Sequence, residues 1–135
     1  MAHFTVIGNN DTVIDMVYVD NGDINNLDFP ESEPVGIEFL NSIMPQSYLE
    51  DQYPGHNNIY FKQCSYNENF RFSYPGVGYT YNLSLDRFVP PKPYDSWIYS
   101  SEFNNWDSPV PNNLGEDVMN PIWDEENQTW VDPLA

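Results

Sequence analysis

Basic residues and cysteine are the scarcest parts of this sequence. Four Lys and Arg stand against 21 Asp and Glu in 135 residues, so the formal net charge is −17. Nucleic-acid binding through a basic face is close to excluded, because phosphate contacts need Lys and Arg. An anionic membrane surface is equally unsuitable. The single cysteine, Cys64, excludes an internal disulfide and therefore a secreted disulfide scaffold.

Long apolar runs are also missing from the chain. No stretch approaches the roughly 20 residues that a membrane helix needs. The opening MAHFTVIGNN has neither the basic start nor the long apolar core of a signal peptide. We therefore expect a protein that is made in a cytoplasm and stays soluble. Its length favours one domain with an extended tail.

Motifs that carry catalysis or bind metals are absent too. His3 and His56 lie far apart and lack the spacing of zinc ligands. The acidic run 124–126 lacks the alternating ligands and the glycine of a calcium loop. Gly76 and Gly78 match no phosphate-binding loop, since neither a helix start nor a lysine follows them. We expect no enzyme activity, no catalytic residue, no metal site and no cofactor.

The charges that are present divide the chain into three parts. Residues 1–61 hold ten acids and no base, and residues 93–135 hold nine acids and no base. All four bases lie within residues 62–92, where they meet only two acids. Two interpretations stay open: the acidic flanks cohere with the basic centre of the same fold, or they contact a basic partner.

The first half of the sequence predicts a β-hairpin and one helix. Two β-branched runs in residues 3–19 surround a Gly/Asn/Asp cluster, which is typical of a hairpin. Ser32 looks like an N-cap, and apolar residues at helical spacing then predict a helix over about 33–44, ended by Pro45. Residues 45–58 read as a loop and 59–63 as a strand. The helix is expected to pack on the first hairpin.

The second half repeats a simple unit of an aromatic residue, a polar turn, a second aromatic and a proline. We predict three small hairpins, because an aromatic pair facing across two strands stabilises them and proline cannot continue a ladder. The predicted pairs are Tyr81 with Phe88, Trp97 with Trp106, and Trp123 with Trp130. The fold class is therefore mainly β: antiparallel hairpins with one short α-helix and an extended Pro/Trp-rich C-terminal part.

The domain division follows from this pattern. Residues 1–97 form a small β-rich domain with one helix, and residues 98–135 form an acidic Trp/Pro hairpin extension. The extension has few aliphatic residues, so we expect it to lie on the domain or on a partner.

The stretch from Tyr79 to Trp97 looks built for contact with another protein. Its hairpin is followed by residues 89–93, VPPKP, which should adopt polyproline II. That arm is either a rigid connector or a segment docked in an aromatic groove of a neighbour. We assign Arg87 to an internal role and Lys92 to an external one. The candidate contact residues are Tyr79, Tyr81, Arg87, Phe88, Pro90, Pro91, Lys92, Tyr94, Trp97, Trp106, Trp123 and Trp130.

A family resemblance is visible in the same region. The segments 61–67 (FKQCSYN), 76–81 (GVGYTY), 86–94 (DRFVPPKPY) and 96–97 (SW) resemble small proteins of tailed phages that infect marine cyanobacteria and related marine bacteria. The MAHF opening, the helix and the paired tryptophans near the C-terminus extend the resemblance over nearly the whole chain. A shorter stretch of the same motif is similar to the end of tail-fibre assembly-type proteins.

The resemblance implies a structural role in a virion. The expected function is a structural component of a tailed-bacteriophage virion, as head decoration or as a tail or baseplate accessory. Its expected partners are other virion proteins, in many copies per particle, with no nucleic acid, membrane or small-molecule substrate. The alternatives are a non-virion tail-fibre assembly factor or chaperone and, less directly, a glycan-binding module that uses exposed Tyr and Trp. The expected location is the virion, after synthesis in the host cytoplasm.

Overall fold

The computed structural model describes residues 1–134. It consists mostly of small antiparallel sheets with two helices, 28% strand against 19% helix. The chain forms two compact units, Met1–Pro91 and a second that begins at Lys92.

The first unit is built on a three-stranded antiparallel sheet. Strand β1 (Ala2–Ile7) lies between β2 (Val13–Val19) and β3 (Tyr60–Cys64), so the order is β2-β1-β3. The predicted hairpin of β1 and β2 is confirmed, and its turn contains Asn10 and Asp11 at positive φ. Asn and Asp adopt this left-handed backbone more readily than most residues. The predicted strand over residues 59–63 is confirmed as β3.

Alternation along the strands places two apolar clusters on opposite faces of the sheet. Helix α1 (Ser32–Ile43) and helix α2 (Gln46–Gln52) contribute Leu40 and Leu49 to the first cluster. Strands β4 (Thr80–Asn82) and β5 (Arg87–Val89) contribute Tyr81 and Phe88 to the second. The first cluster contains Ala2, Phe4, Val6, Val19, Ile24, Leu40, Leu49, Ile59 and Phe61, and the second contains Ile7, Val13, Cys64, Tyr81 and Phe88.

Helix α1 is confirmed at its predicted position, but the role predicted for Ser32 is wrong. Ser32 is fully buried inside the helix, and its hydroxyl donates to Gln63 Oε1 at 2.7 Å. Glu31 occupies the N-cap position without a side-chain cap bond. The hydroxyl bonds the sheet because a buried polar group needs a partner, and Gln63 offers one from β3.

The prediction of a single helix is also wrong, because α2 lies within the predicted loop 45–58. Its sequence is short and polar, so periodicity gave no signal. Tertiary contacts hold it instead. Leu49 is fully buried, and the Gln46 side-chain amide bonds both the N–H and the carbonyl of Ile59, next to β3. The Tyr53 hydroxyl, just after the helix, donates to Asp15 of β2.

The second unit contains two further hairpins. Strands β6 (Ile98–Ser100) and β7 (Asn105–Asp107) form the first, and β8 (Ile122–Asp124) and β9 (Thr129–Val131) form the second. Trp123 faces Trp130 across the second hairpin, as predicted. The predicted Trp97–Trp106 pair is wrong: Trp106 pairs with Tyr99, and Trp97 precedes β6. Strand β6 starts at Ile98, one residue after Trp97, so Tyr99 faces Trp106 across the hairpin.

Candidate interaction surface

The β4–β5 hairpin turns its aromatic pair inward. Tyr81 faces Phe88 across the strands, with ring centroids 5.4 Å apart. Their exposed fractions are 4% and 0%, so both rings belong to the core of the first unit. Two of the predicted contact residues are therefore structural, because a partner cannot reach them. They hold the hairpin on the sheet and leave its turn in solvent.

Arg71 anchors this hairpin to the rest of the unit. Its side chain is 6% exposed, and its guanidinium forms an ion pair with Glu33 of α1 and donates to the Gln63 carbonyl of β3 at 2.9 Å. Arg71 Nε also donates to Asp86 in the hairpin turn at 2.9 Å. Such buried, hydrogen-bonded Arg–carboxylate pairs fix geometry through the planar fork of the guanidinium. Sequence reasoning missed Arg71, since no spacing pattern links positions 33, 71 and 86.

The two charged residues predicted to mark the surface both lie over aromatic rings. Arg87 is half-buried, with Cζ 4.8 Å from the ring centroid of Phe72. Lys92, in the second unit, is exposed and places Nζ 5.4 Å from the centroid of Trp106. Cations over ring faces gain about 0.5–1 kcal/mol at exposed sites. Arg87 thus contacts a ring of its own unit, and so does Lys92.

The turn of the β4–β5 hairpin exposes apolar side chains. Leu83 is 77% exposed and Leu85 is 39% exposed, although turns ordinarily carry polar residues or glycine. The turn is nonetheless ordered, because the Leu85 N–H donates to Asn82 Oδ1 at 2.9 Å. Val77, in the PGVG turn before β4, is 68% exposed but lies at the other end of that strand. We call Leu83 and Leu85 the hairpin tip.

The remaining predicted residues of the first unit lie at the end of the β4–β5 hairpin opposite its turn. Tyr79 is half-buried and packs against the second apolar cluster. Its carbonyl accepts the Val13 N–H at 2.7 Å, which joins the PGVG turn to β2. Gly78 has φ +99°, a conformation that favours glycine, and Pro91 lies beside it. Pro90 is half-buried, whereas Pro91 is exposed.

The predicted tryptophans of the second unit form a cluster of rings. Trp97 lies 6.0 Å from Trp123 and 6.1 Å from Trp130, centroid to centroid, and Tyr94 is 5.6 Å from Trp97. Trp123 is buried, while Trp97 and Trp130 are half-buried. The structure therefore brings Tyr94, Trp97, Trp123 and Trp130 together, and Trp106 pairs separately with Tyr99.

Hydrogen bonds complete this cluster. The Glu125 carboxylate accepts Trp123 Nε1 at 2.8 Å and the Ser96 N–H at 3.0 Å. The bonds from Ser96 and Trp123 lower the pKa of the Glu125 carboxyl. Trp130 Nε1 donates to the Val110 carbonyl at 3.0 Å. Phe103, in the turn between β6 and β7, is 69% exposed, so this unit also displays an apolar side chain at a turn.

Groups that could support chemistry are few in the described part of the chain. Cys64 is buried, and burial raises the pKa of its thiol to about 12. Within residues 1–134, no three His, Cys, Asp or Glu side chains are grouped so that they could hold a metal ion. None of the described helices is both long enough and apolar enough to cross a membrane.

Comparison with known proteins adds no relative to this description. No protein-family model matches the chain, and no curated protein or solved structure matches it either.

Proposed function

We propose that the protein is a non-catalytic structural component of a tailed-bacteriophage virion that acts by binding other virion proteins. The observation that carries the proposal is the hairpin tip, an exposed apolar surface on a rigid support. Leu83 stands 77% exposed on a hairpin that two buried rings and a buried Arg71 hold in place. Exposed apolar patches on ordered elements are typical of protein-binding sites, and a preorganised element loses little entropy on binding.

The proposed partners and place follow from this surface and from the resemblance of the motif to tailed-phage proteins. The partners are capsid or tail proteins, and the chain serves as head decoration or as a tail or baseplate accessory in many copies per particle. We further propose that the Pro/Trp-rich part after residue 97 is an extension that gains its full order on a partner. The chain works without cofactor, metal, nucleic acid or membrane.

Analysis of purified particles tests this function. Particles of the encoding phage, separated from free protein on a density gradient, should retain the chain through high-salt washing, and quantitative mass spectrometry should give its copy number. Hundreds of copies indicate head decoration, while three, six or twelve indicate the tail. Two results together would support the alternative, a tail-fibre assembly factor or chaperone: the chain is absent from finished particles, and particles fail to assemble when the chain is removed from the host.

Substitutions at the hairpin tip test the proposed surface. Leu83→Ser with Leu85→Ser should reduce incorporation into particles at least about tenfold, since each buried apolar anchor contributes about 1.5–3 kcal/mol. The thermal stability of the free protein should stay within about 0.5 kcal/mol, because both side chains are exposed. Ile43→Ser, an exposed apolar residue at the end of α1 (56% exposed), is the matched control. Equal incorporation of all variants would contradict the assignment.

A further inference from the structure

Four aromatic rings, none of them part of the hairpin tip, meet at the sheet of the first unit. We call His3, Tyr18, Tyr66 and Tyr74 the tyrosine ledge. His3 lies at its centre, 4.9 Å from Tyr18, 5.6 Å from Tyr66 and 5.7 Å from Tyr74, centroid to centroid. Tyr18 and Tyr66 are 56% and 66% exposed, although Tyr18 contacts His3 and Tyr66 contacts both His3 and Tyr74.

The ledge is held rigidly. His3 and Tyr18 are direct partners across β1 and β2. The Tyr74 hydroxyl lies 3.2 Å from His3 Nδ1. Tyr66 stacks on His3 at an interplanar angle of 29° and meets Tyr74 edge-on. A ligand would therefore find ring faces already in place, which lowers the entropy lost on binding.

A depression without carboxylates among its described lining residues adjoins the ledge, and Met1 with its terminal ammonium lies at its wall. His3 and Tyr66 form part of its wall, together with Gln63, Ser65, Asn67 and Phe70. None of the described residues that line it is Asp or Glu, in a protein of net charge −17. Burial and the nearby N-terminal ammonium lower the pKa of His3, so its ring is neutral at pH 7. Amide and hydroxyl groups thus stand beside exposed aromatic faces.

We infer that the tyrosine ledge and the adjoining depression bind neutral sugar rings of an oligosaccharide. A sugar ring has an apolar C–H face that packs on an aromatic ring, and its hydroxyls match the hydrogen-bonding groups of Asn67, Ser65 and the tyrosines. A cationic ligand would find no carboxylate in the lining. The Met1 ammonium is a single positive charge beside the depression, and the net charge of −17 opposes the approach of an anionic ligand.

The arrangement of the rings argues against a proline-rich peptide as the occupant. A polyproline helix docks in an aromatic-lined groove with successive rings along one line. Here Tyr18 and Tyr74 stand nearly perpendicular to His3, at 85° and 83°, so the rings radiate from one centre. The inference is independent of the proposed virion role, because it concerns a different surface and does not require a partner protein.

Titration of the full-length protein tests the inference. The probes are cellohexaose, maltohexaose and chitohexaose as neutral sugars, hexagalacturonate as an anionic sugar and acetyl-hexaproline amide as the competing peptide class. Isothermal calorimetry gives the affinity, and amide chemical shifts locate the site. We expect at least one neutral sugar to bind with shifts at residues 3, 18 and 63–67. Hexagalacturonate and the proline peptide should show no saturable binding there.

Variants at exposed tyrosines decide the site. Tyr66→Ala should weaken binding about five- to tenfold, and Tyr66→Phe should retain most of the affinity because the ring face remains. Tyr48→Ala, on α2 and 45% exposed, is the control and should bind like the parent. Absence of binding by all three neutral sugars, equal loss in the control, or saturable binding of the proline peptide at the ledge would each overturn the inference.

Discussion

Single residues hold the elements of the first unit together, and Arg71 shows how. Its guanidinium joins α1, β3 and the β4–β5 turn through Glu33, the Gln63 carbonyl and Asp86. It also lies 5.0 Å from the Phe29 ring centroid and 5.5 Å from that of Tyr81. The hairpin tip is therefore positioned in part by a charged residue that lies outside the hairpin.

The Asp86 carboxylate gives this junction a pH dependence. Burial works to raise the pKa of Asp86, but hydrogen bonds from Tyr81 and Arg71 outweigh it, so the pKa is lowered. A lowered carboxyl pKa means that the folded state binds fewer protons than the unfolded chain below about pH 4, so stability falls as pH drops through that range. Asp86→Asn should remove the part of the acid-induced loss of stability that this carboxyl causes.

The expected size is modest because the Asp86 side chain is 58% exposed. Thermal melts at pH 7 and pH 3 should show Asp86→Asn less stable than the parent by under about 1 kcal/mol at pH 7, with the difference shrinking at pH 3. Asp51→Asn, exposed on α2, serves as the control for a general charge effect. If the difference in stability between Asp86→Asn and the parent stayed constant with pH, the Asp86 carboxyl would not be the source of the pH dependence.

Gly36 is a second residue whose role depends on packing. A Cβ at this position of α1 would lie 2.2 Å from Phe4 Cζ, and Phe4 is fully buried. Gly36→Ala should therefore destabilise the protein by about 1–3 kcal/mol through overpacking, despite the better helix propensity of alanine. Gly22→Ala is the matched control, since nothing lies within 4 Å of its Cβ position. Chemical denaturation should separate the two variants clearly.

At the scale of elements, the first residue of α2 forms hydrogen bonds with the backbone beside the sheet. The side-chain amide of Gln46 accepts the Ile59 N–H at 3.1 Å and donates to the Ile59 carbonyl, much as a neighbouring strand would. It satisfies backbone groups just before edge strand β3. Edge strands with open backbone groups invite unwanted pairing, and natural proteins commonly cover them.

Removal of this amide should therefore weaken the edge. Gln46→Ala loses both bonds and should destabilise the protein by about 1–3 kcal/mol, because each net hydrogen bond contributes about 1 kcal/mol and the buried backbone groups lose their partner. Gln52→Ala, exposed at the end of the same helix, should change stability by less than about 0.5 kcal/mol. Faster hydrogen exchange at Ile59 in Gln46→Ala alone is the specific readout. Equal exchange in both variants would show that the amide does not protect the edge.

At the scale of the whole molecule, the two units differ sharply in their apolar cores. Among the buried apolar side chains of residues 1–134, Trp123 alone belongs to the second unit. That unit relies on half-buried aromatic rings and on hydrogen bonds around Glu125. A small buried area offsets little of the entropy lost on ordering a chain, so the second unit should open more readily than the first.

Limited proteolysis measures this difference. A glutamate-specific protease should cut the free protein first after Glu102 and Glu116, well before it cuts after Glu38 or Glu50, although all four residues are exposed. The unfolded chain, cut at all sites, is the control for sequence preference. In assembled particles the cuts in the second unit should slow markedly. Equal protection of that unit in free protein and in particles would contradict the proposed ordering on a partner.

The sequence by itself determined the elements that depend on local patterns. Alternation of β-branched residues set the first hairpin, helical spacing set α1, and the aromatic–turn–aromatic units set two of the three aromatic pairs. These signals are local because side-chain direction repeats every two residues in a strand and every 3.6 in a helix. The scarcity of basic residues likewise argues against nucleic acid and anionic membranes as partners, and the single cysteine excludes an internal disulfide, whatever the fold.

Only the tertiary structure decided which of those residues reach solvent and which hold the fold. Ser32, Gln46 and Arg71 bond Gln63, Ile59 and Glu33, which lie 31, 13 and 38 positions away, and no periodicity encodes such distances. Tyr81 and Phe88 proved to be core, while Leu83 in the turn between them is exposed. Burial is a property of all the elements packed together, so a contact surface cannot be read from one segment of the chain.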